Sequence, residues 1–302
     1  MKLIIKTIIL IAILVPNLHA KADTPLFQYP TAPESLETME EKCNYVIEHF
    51  WDRCNINQAF STRNKLQQAF SDYVDIMPYA SADKVHESIA KLLDRIKKNP
   101  QQVLGFAEMA ESILYSDTAK FVCDEVYYPF AQAVADNKKI KSADKARFAA
   151  HAKILSGSQV GMTAPDFTFI KPDGSKCQFN DIPVGYVILF FYEPDCTDCM
   201  MARVRLSADY SINEFIKNKQ LNIVCIYPGD ANDPQWVDLT KRMPDNWIVG
   251  ASEDVDKIYD MRHEPVIYYL NSRHKILSKS MTADQLINAF RQINSRTTAS
   301  EE

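Results

Sequence analysis

The chain has 302 residues and a formal net charge of −5, with no cluster of basic residues. That balance argues against nucleic acid as a partner, and the length suggests two domains. Seven cysteines, an odd number, leave at least one unpaired within the chain or paired with another molecule.

Lys2 and Lys6 precede an apolar run that ends at Val15, and the small residue Ala20 follows Pro16-Asn17-Leu18-His19. The pattern predicts a secretory signal peptide over 1–20, cleaved near Ala20. The apolar run is too short to span a bilayer, and no cysteine near the cut offers a lipid anchor. Leu18 is bulky for its place before the cut, which leaves an uncleaved anchor as the alternative. Residues 21–33 hold three prolines and read as an extended leader.

From Glu34 the apolar residues fall at three- and four-residue steps. Leu36, Met39, Cys43, Val46, Ile47, Phe50 and Trp51 form the first run, and Leu66, Phe70, Tyr73, Val74 and Met77 the second. Ser81 stands before Val85, Ile89 and Leu92, and Asn99-Pro100 supplies a cap and first position before Val103, Phe106 and Met109. Two more runs follow, one from Phe121 and Val122 through Val126 and Phe130, the other from Ser142 through Phe148 and Ile154. Only Gly105 interrupts this stretch before Gly157. Residues 34–157 are therefore expected to be an all-α domain of about six helices. It carries no evident catalytic set. Cys43 and Cys54 would lie about 16 Å apart on an unbroken helix, too far to bridge, so buried thiols are the reading preferred for them and for Cys123. Trp51 and Tyr127 read as core, and His49 and His86 as isolated surface or core residues.

Ser156-Gly157-Ser158 marks a boundary, and residues 158–302 change character. Phe167–Ile170 and Lys176–Phe179 flank Lys171-Pro172-Asp173-Gly174, a turn by its chemistry. Val187–Tyr192 and Leu221–Tyr227 are continuous apolar runs that fit strands buried on both faces. Short helices are expected over Gln235–Met243 and Asp254–Asp260, strands over Trp247–Val249, Val266–Leu270 and Lys275–Lys279, and a closing helix over Ala283–Ile293. This is an α/β domain with a mixed central sheet flanked by helices.

Between the first buried strand and an amphipathic run that meets no Pro or Gly before Asn213 stands Glu193-Pro194-Asp195-Cys196-Thr197-Asp198-Cys199. A cysteine at a helix N-terminus sits among unpaired N–H groups and the positive end of the dipole, which stabilises its thiolate. A second cysteine one turn on can attack the mixed disulfide that the first forms. Strand, break, Cys-x-x-Cys and helix is the thioredoxin arrangement. Half a zinc site and an inert pair are the alternatives, but the other local cysteines, Cys177 and Cys225, are single.

Residues 158–296 resemble the TlpA-like, AhpC/TSA-type thioredoxin-fold proteins exported by Gram-negative bacteria. The resemblance lies in Val160-Gly161-Met162-Thr163-Ala164-Pro165-Asp166-Phe167, in Phe191–Cys199, and in Tyr259–Leu270 with Pro265. Through Glu48-His49-Phe50-Trp51-Asp52 the helical half resembles a domain of unknown function that precedes such modules in Bacteroidetes-type exported proteins. The resemblance implies a periplasmic thiol–disulfide oxidoreductase with Cys196 as attacking thiolate, Cys199 as resolving thiol and Pro265 as a cis-proline facing them. It implies protein thiol and disulfide substrates, a membrane electron-relay partner, and no cofactor beyond the Cys196–Cys199 disulfide.

Three departures stand out. Asp195 replaces the usual Trp before the first cysteine. Thr197-Asp198 replaces Gly-Pro. Phe190 stands six before Cys196, where thioredoxins keep a buried acid; Glu193 could take that proton-shuttle role, or be a solvated loop residue. Glu264, just before Pro265, puts a charge beside the peptide-binding edge and is expected to repel acidic substrates. A reductase is the leading reading. An isomerase or oxidant, with a homodimer through the helical domain, is one alternative; a binding protein with a vestigial module is another. The Pro-x-x-x-Thr-x-x-Cys set of a peroxiredoxin is absent.

Overall fold

The computed structural model describes residues 25–299 apart from 117, 120, 121, 263 and 280, with only the backbone over 294–299. The expected signal peptide, the start of the leader, Phe121 and His263 lie outside the described residues. By its internal contacts the chain divides into two compact units, residues up to Val85 and residues from His86 onward. No helix among the described residues is long and apolar enough to cross a membrane.

In the first unit, Thr38 and Glu41 start α1 (Met39–His49) with a reciprocal capping box. The Glu41 N–H donates to Thr38 Oγ1 at 3.1 Å and the Thr38 N–H to the Glu41 carboxylate at 2.9 Å, which satisfies two otherwise unpaired donors. A four-residue helix, α2 (Ile56–Ala59), joins α1 to α3 (Arg63–Ile76). Phe50, Trp51, Phe70 and Tyr73 are buried in one aromatic core, so Trp51 is core as expected. The leader packs onto that core from Phe27 and Tyr29. The Tyr29 ring lies 4.8 Å from Phe50, and its hydroxyl donates to Asp72 at 2.7 Å. Helix α4 (Ala82–Ile96) carries the chain across the division.

The second unit opens with α5 (Pro100–Leu114), α6 (Asp124–Asp136) and α7 (Ser142–Ser156). Asn99 caps α5 by accepting the Gln101 and Gln102 N–H groups, with Pro100 in the first turn. Two expected starts move. Helix α6 begins at Asp124, after Val122, and Ser142 is the first residue of α7 rather than its cap. Seven helices therefore precede the sheet among the described residues, the short α2 being the one that periodicity did not reveal.

The seven-stranded mixed sheet joins β1 (Thr168–Ile170), β2 (Lys176–Gln178), β3 (Tyr186–Phe191), β4 (Leu221–Tyr227), β5 (Ile248–Ala251), β6 (Val266–Leu270) and β7 (Ile276–Lys279) in the order β2-β1-β5-β4-β3-β6-β7. Gly174, at φ +82°, closes the β1–β2 hairpin in a conformation that costs glycine little. Strand β3 runs parallel to β4 and antiparallel to β6. Its alternate residues enter two cores: Ile188 and Phe190 pack with Trp236, Leu286 and Phe290, while Val187, Leu189 and Phe191 pack with Phe167 and Tyr259. This is the both-faces burial that the unbroken apolar run predicts.

Helices α8 (Thr197–Ala208), α9 (Tyr210–Lys217), α10 (Pro234–Thr240) and α11 (Ala283–Ala299) complete the unit. The expected unbroken run after Cys199 divides at Asp209. Its carboxylate accepts the Ile212 N–H at 3.1 Å and pairs with Arg291 at 2.6 Å, so a capping residue ends one helix and starts the next. The helix expected over Asp254–Asp260 is only one tight turn, Val255–Lys257. Beyond it the buried Tyr259 hydroxyl donates to the Pro165 carbonyl, and Asp260 takes the Arg262 guanidinium with both oxygens; these bonds hold the chain out of helical geometry.

Lys279 of β7 pairs with Asp124 of α6 at 2.7 Å and donates to the Ser158 carbonyl, with the lysine side chain 4% and the aspartate 13% exposed. Removing one partner of such a pair strands the other charge. Lys279→Met is expected to lower the unfolding free energy by about 3 kcal/mol in urea titrations; an unchanged midpoint would contradict this account of the pair.

Candidate active site

Strand β3 ends at Phe191, and four residues, Tyr192–Asp195, carry the chain to the first turn of α8. Cys196 occupies the N-cap position in extended backbone geometry, and its Sγ accepts the Cys199 N–H at 3.0 Å. The sulfur thus stands where the helix leaves its donors unpaired. Cys196 and Cys199 form a disulfide with their Cα atoms 5.2 Å apart. Cys196 is half-buried and Cys199 is 2% exposed, so only the first sulfur is open to an incoming group.

The Glu264–Pro265 peptide is cis, as the resemblance implied. Val266 pairs with Phe191, and this register delivers Glu264 and Pro265 to the end of the sheet where the cysteines stand. One carboxylate oxygen of Glu264 and the two sulfurs all lie within 4.8 Å of one another. Burial pushes the Glu264 carboxyl up, and the Glu193 and Asp195 charges push it further, to about 7. Glu193, half-buried in the loop before Cys196, is raised too, first by burial and then by Asp195 and Asp233. Of the two glutamates singled out in the sequence, Glu264 is the one that groups with both sulfurs.

One hollow is lined by the disulfide itself, and a second opens beside Pro265. A cavity of about 310 Å³ is lined by Tyr192, Cys196, Cys199, Arg203, Asp238 and Met243. A groove of about 590 Å³ runs past Pro265 between Asp198, Met201, Tyr268 and Met281. Met200, Met201 and Val204 leave the adjoining surface of α8 apolar and exposed. Arg203 went unnoticed in the sequence. Its place four residues after Cys199, one turn along the same helix face, is the signal that finds it; it donates to the Arg242 carbonyl at 3.3 Å.

The loop that leads to Pro265 is tied to the helices of its own unit. Arg262 donates to the Tyr115 carbonyl at 2.8 Å and lies over the Tyr115 ring. Tyr115 stacks on Tyr127 at 4.2 Å, and the Tyr127 hydroxyl meets His151 Nδ1 at 2.7 Å. Burial and the Arg262 charge push His151 down to about 4, so it is neutral near pH 7. Cys43, Cys123 and Cys177 are half-buried, and Cys54 and Cys225 are buried; none is disulfide-bonded. As for a metal, Cys196, Cys199 and Glu264 offer three donor atoms where a structural zinc site takes four, and a disulfide sulfur is no thiolate.

Residues 15–158 match a family model described as a domain of unknown function, DUF5106. The fold resembles the crystal structure of a thioredoxin-like protein from Bacteroides caccae, 23% identical, with a TM-score of 0.76 over 89% of this chain and 99% of that one. A conserved protein of unknown function from Bacteroides fragilis is 32% identical over 44% of this chain and 98% of its own, with a TM-score of 0.41. The thioredoxin domain of a thiol-disulfide oxidoreductase from Bacteroides vulgatus is 23% identical over 45% and 98%, with a TM-score of 0.40. No curated protein sequence matches. The fold is thus an all-α N-terminal region followed by a thioredoxin-like α/β region.

The raised Glu264 carboxyl has a consequence for stability. Its folded value of about 7 lies above the ordinary 4.5, so the folded chain holds this proton more tightly than the unfolded chain does. The stability linked to it is present at low pH and is lost as pH rises through that window. Glu264→Gln is expected to melt higher than the parent at pH 8, with the difference vanishing near pH 4. A melting difference that does not change with pH would contradict this.

Proposed function

We propose that this thioredoxin-fold chain is a thiol–disulfide oxidoreductase of the cell envelope that works as a reductase. The observation that carries the reading is the Cys196–Cys199 disulfide at the start of α8, beside a cis-Pro265 delivered by the neighbouring strand. In the reduced state the Cys196 thiolate attacks a substrate disulfide; one substrate sulfur leaves and a mixed disulfide forms. Cys199 then attacks Cys196, the second substrate sulfur leaves, and the internal disulfide closes. Two electrons have passed from the Cys196–Cys199 dithiol to the substrate.

The groove along Pro265 suits an extended polypeptide carrying the target disulfide, and the exposed methionines of α8 suit its apolar side chains. The redox group is the cysteine pair itself, with no metal or organic cofactor. The N-terminal signal pattern supports export to the periplasm, which offers no thiol buffer. A membrane electron-relay protein would therefore restore the dithiol. The reductive direction is supported by Glu193, Asp195 and Glu264. Negative charge around a thiol disfavours the thiolate, which weakens the stabilisation of the reduced form that makes a strong oxidant.

Reduction of insulin or a dye-linked peptide tests the reading. Cys196→Ser is expected to slow it by about a hundredfold or more, because the nucleophile is lost. Cys199→Ser is expected to accumulate a mixed disulfide visible by mass spectrometry. Equal rates in the parent and the Cys196→Ser chain would sink the oxidoreductase reading.

A further inference from the structure

Cys199 is buried, and a buried thiol must lose its proton before it can attack. Phe190 occupies the strand position where an acid could have taken that proton, and it is 1% exposed inside the apolar core. Among the described residues the Glu264 carboxylate is the acidic group that comes within 4.8 Å of both sulfurs. A carboxylate oxygen within this range is placed to take a thiol proton directly or through one water.

We propose that Glu264 is the proton acceptor for Cys199 in the resolving step, an inference that rests on the oxidoreductase reading above. In the mixed disulfide the Cys199 S–H proton passes to the Glu264 carboxylate as the sulfur attacks Cys196 Sγ. The Cys196–Cys199 bond forms, the bond from Cys196 to the substrate sulfur breaks, and the departing substrate thiolate takes up a proton from Glu264 or from water. No further oxidant or reductant enters this step.

The surroundings of Glu264 suit the task. Glu193 and Asp195 face it from the loop before α8, Cys196 and Cys199 face it from the first turn of α8, and Asp233 stands behind Glu193. Partial burial and these like charges hold its proton affinity near neutrality, where an acceptor and a donor are equally available. The expected role of Glu264 as a charge that repels acidic substrates needs only its sign. The proton role needs its position against the sulfurs, and the two make opposite predictions.

The test is a two-phase stopped-flow reaction of the reduced full chain with dithiodipyridine, a neutral chromogenic disulfide that releases its halves one after the other. The first phase reports attack by Cys196 and the second reports resolution by Cys199. Glu264→Gln is expected to lower the second-phase rate itself about tenfold or more near pH 7. If Glu264 were only a charge, its removal would ease thiolate formation and speed both phases; a second-phase rate unchanged or raised would overturn the proposal. The parent chain supplies a check that needs no variant. Its second phase is expected to rise with pH and level off above about 7 as Glu264 ionises. A second phase that instead keeps rising tenfold per pH unit would mean hydroxide, not Glu264, takes the proton. If neither half is released faster than from Cys196→Ser, the oxidoreductase reading itself fails and this inference with it. Two releases with a second-phase rate unchanged by Glu264→Gln remove Glu264 alone.

Discussion

The antiparallel pairing of β3 with β6 is the constraint on which the site depends. Phe191, the last residue of β3, sits opposite Val266, the first of β6. The chain leaving β3 becomes the Cys196 loop, and the chain entering β6 is the Glu264–Pro265 cis peptide, so one register fixes both halves of the site. A slip of one residue would turn the apolar set of β3 over to the wrong core and move the proline away from the sulfurs. Both faces of β3 are buried in separate cores, which is why the register is firmly held. The Arg262–Tyr115 tie and the Lys279–Asp124 pair add further anchors on either side of β6.

On that frame the electrostatics of the site oppose one another. The start of α8 offers an N–H to Cys196 Sγ and the positive end of its dipole. Against it stand Glu193, Asp195 and Glu264; burial first, and neighbouring negative charge second, makes the two glutamates hold their protons more tightly than an ordinary glutamate. A carboxyl poised near neutrality beside a buried thiol can move a proton in either direction. A thiolate among carboxylates is less stabilised than one beside a cation, and a less stabilised dithiol gives up its electrons more readily.

Much of this was legible in the sequence, because the signals are local. The Cys-x-x-Cys after an apolar run, the Asn99-Pro100 start, and the Lys171–Gly174 turn each state their own conformation within a few residues. What was not legible depends on distant partners. The division at Asp209 carries no Gly or Pro; the capping carboxylate also pairs with Arg291, eighty-two positions on. Glu264 was visible as a charge beside a proline, but its closeness to Cys199 goes with the register of β6 on β3, which the sequence does not spell out. The helix expected over Asp254–Asp260 shortens to the turn Val255–Lys257, beyond which the buried Tyr259 is bonded to the distant Pro165 carbonyl.

The central claim is that Cys196 and Cys199 form a reducing pair, and the most direct measurement is their reduction potential, by equilibration with dithiothreitol and glutathione. The account predicts a single two-electron transition at about −270 mV or lower, the range of thioredoxin. A value near −120 to −180 mV, the range of strong oxidants and isomerases, would contradict it, as would a pair that does not cycle at all.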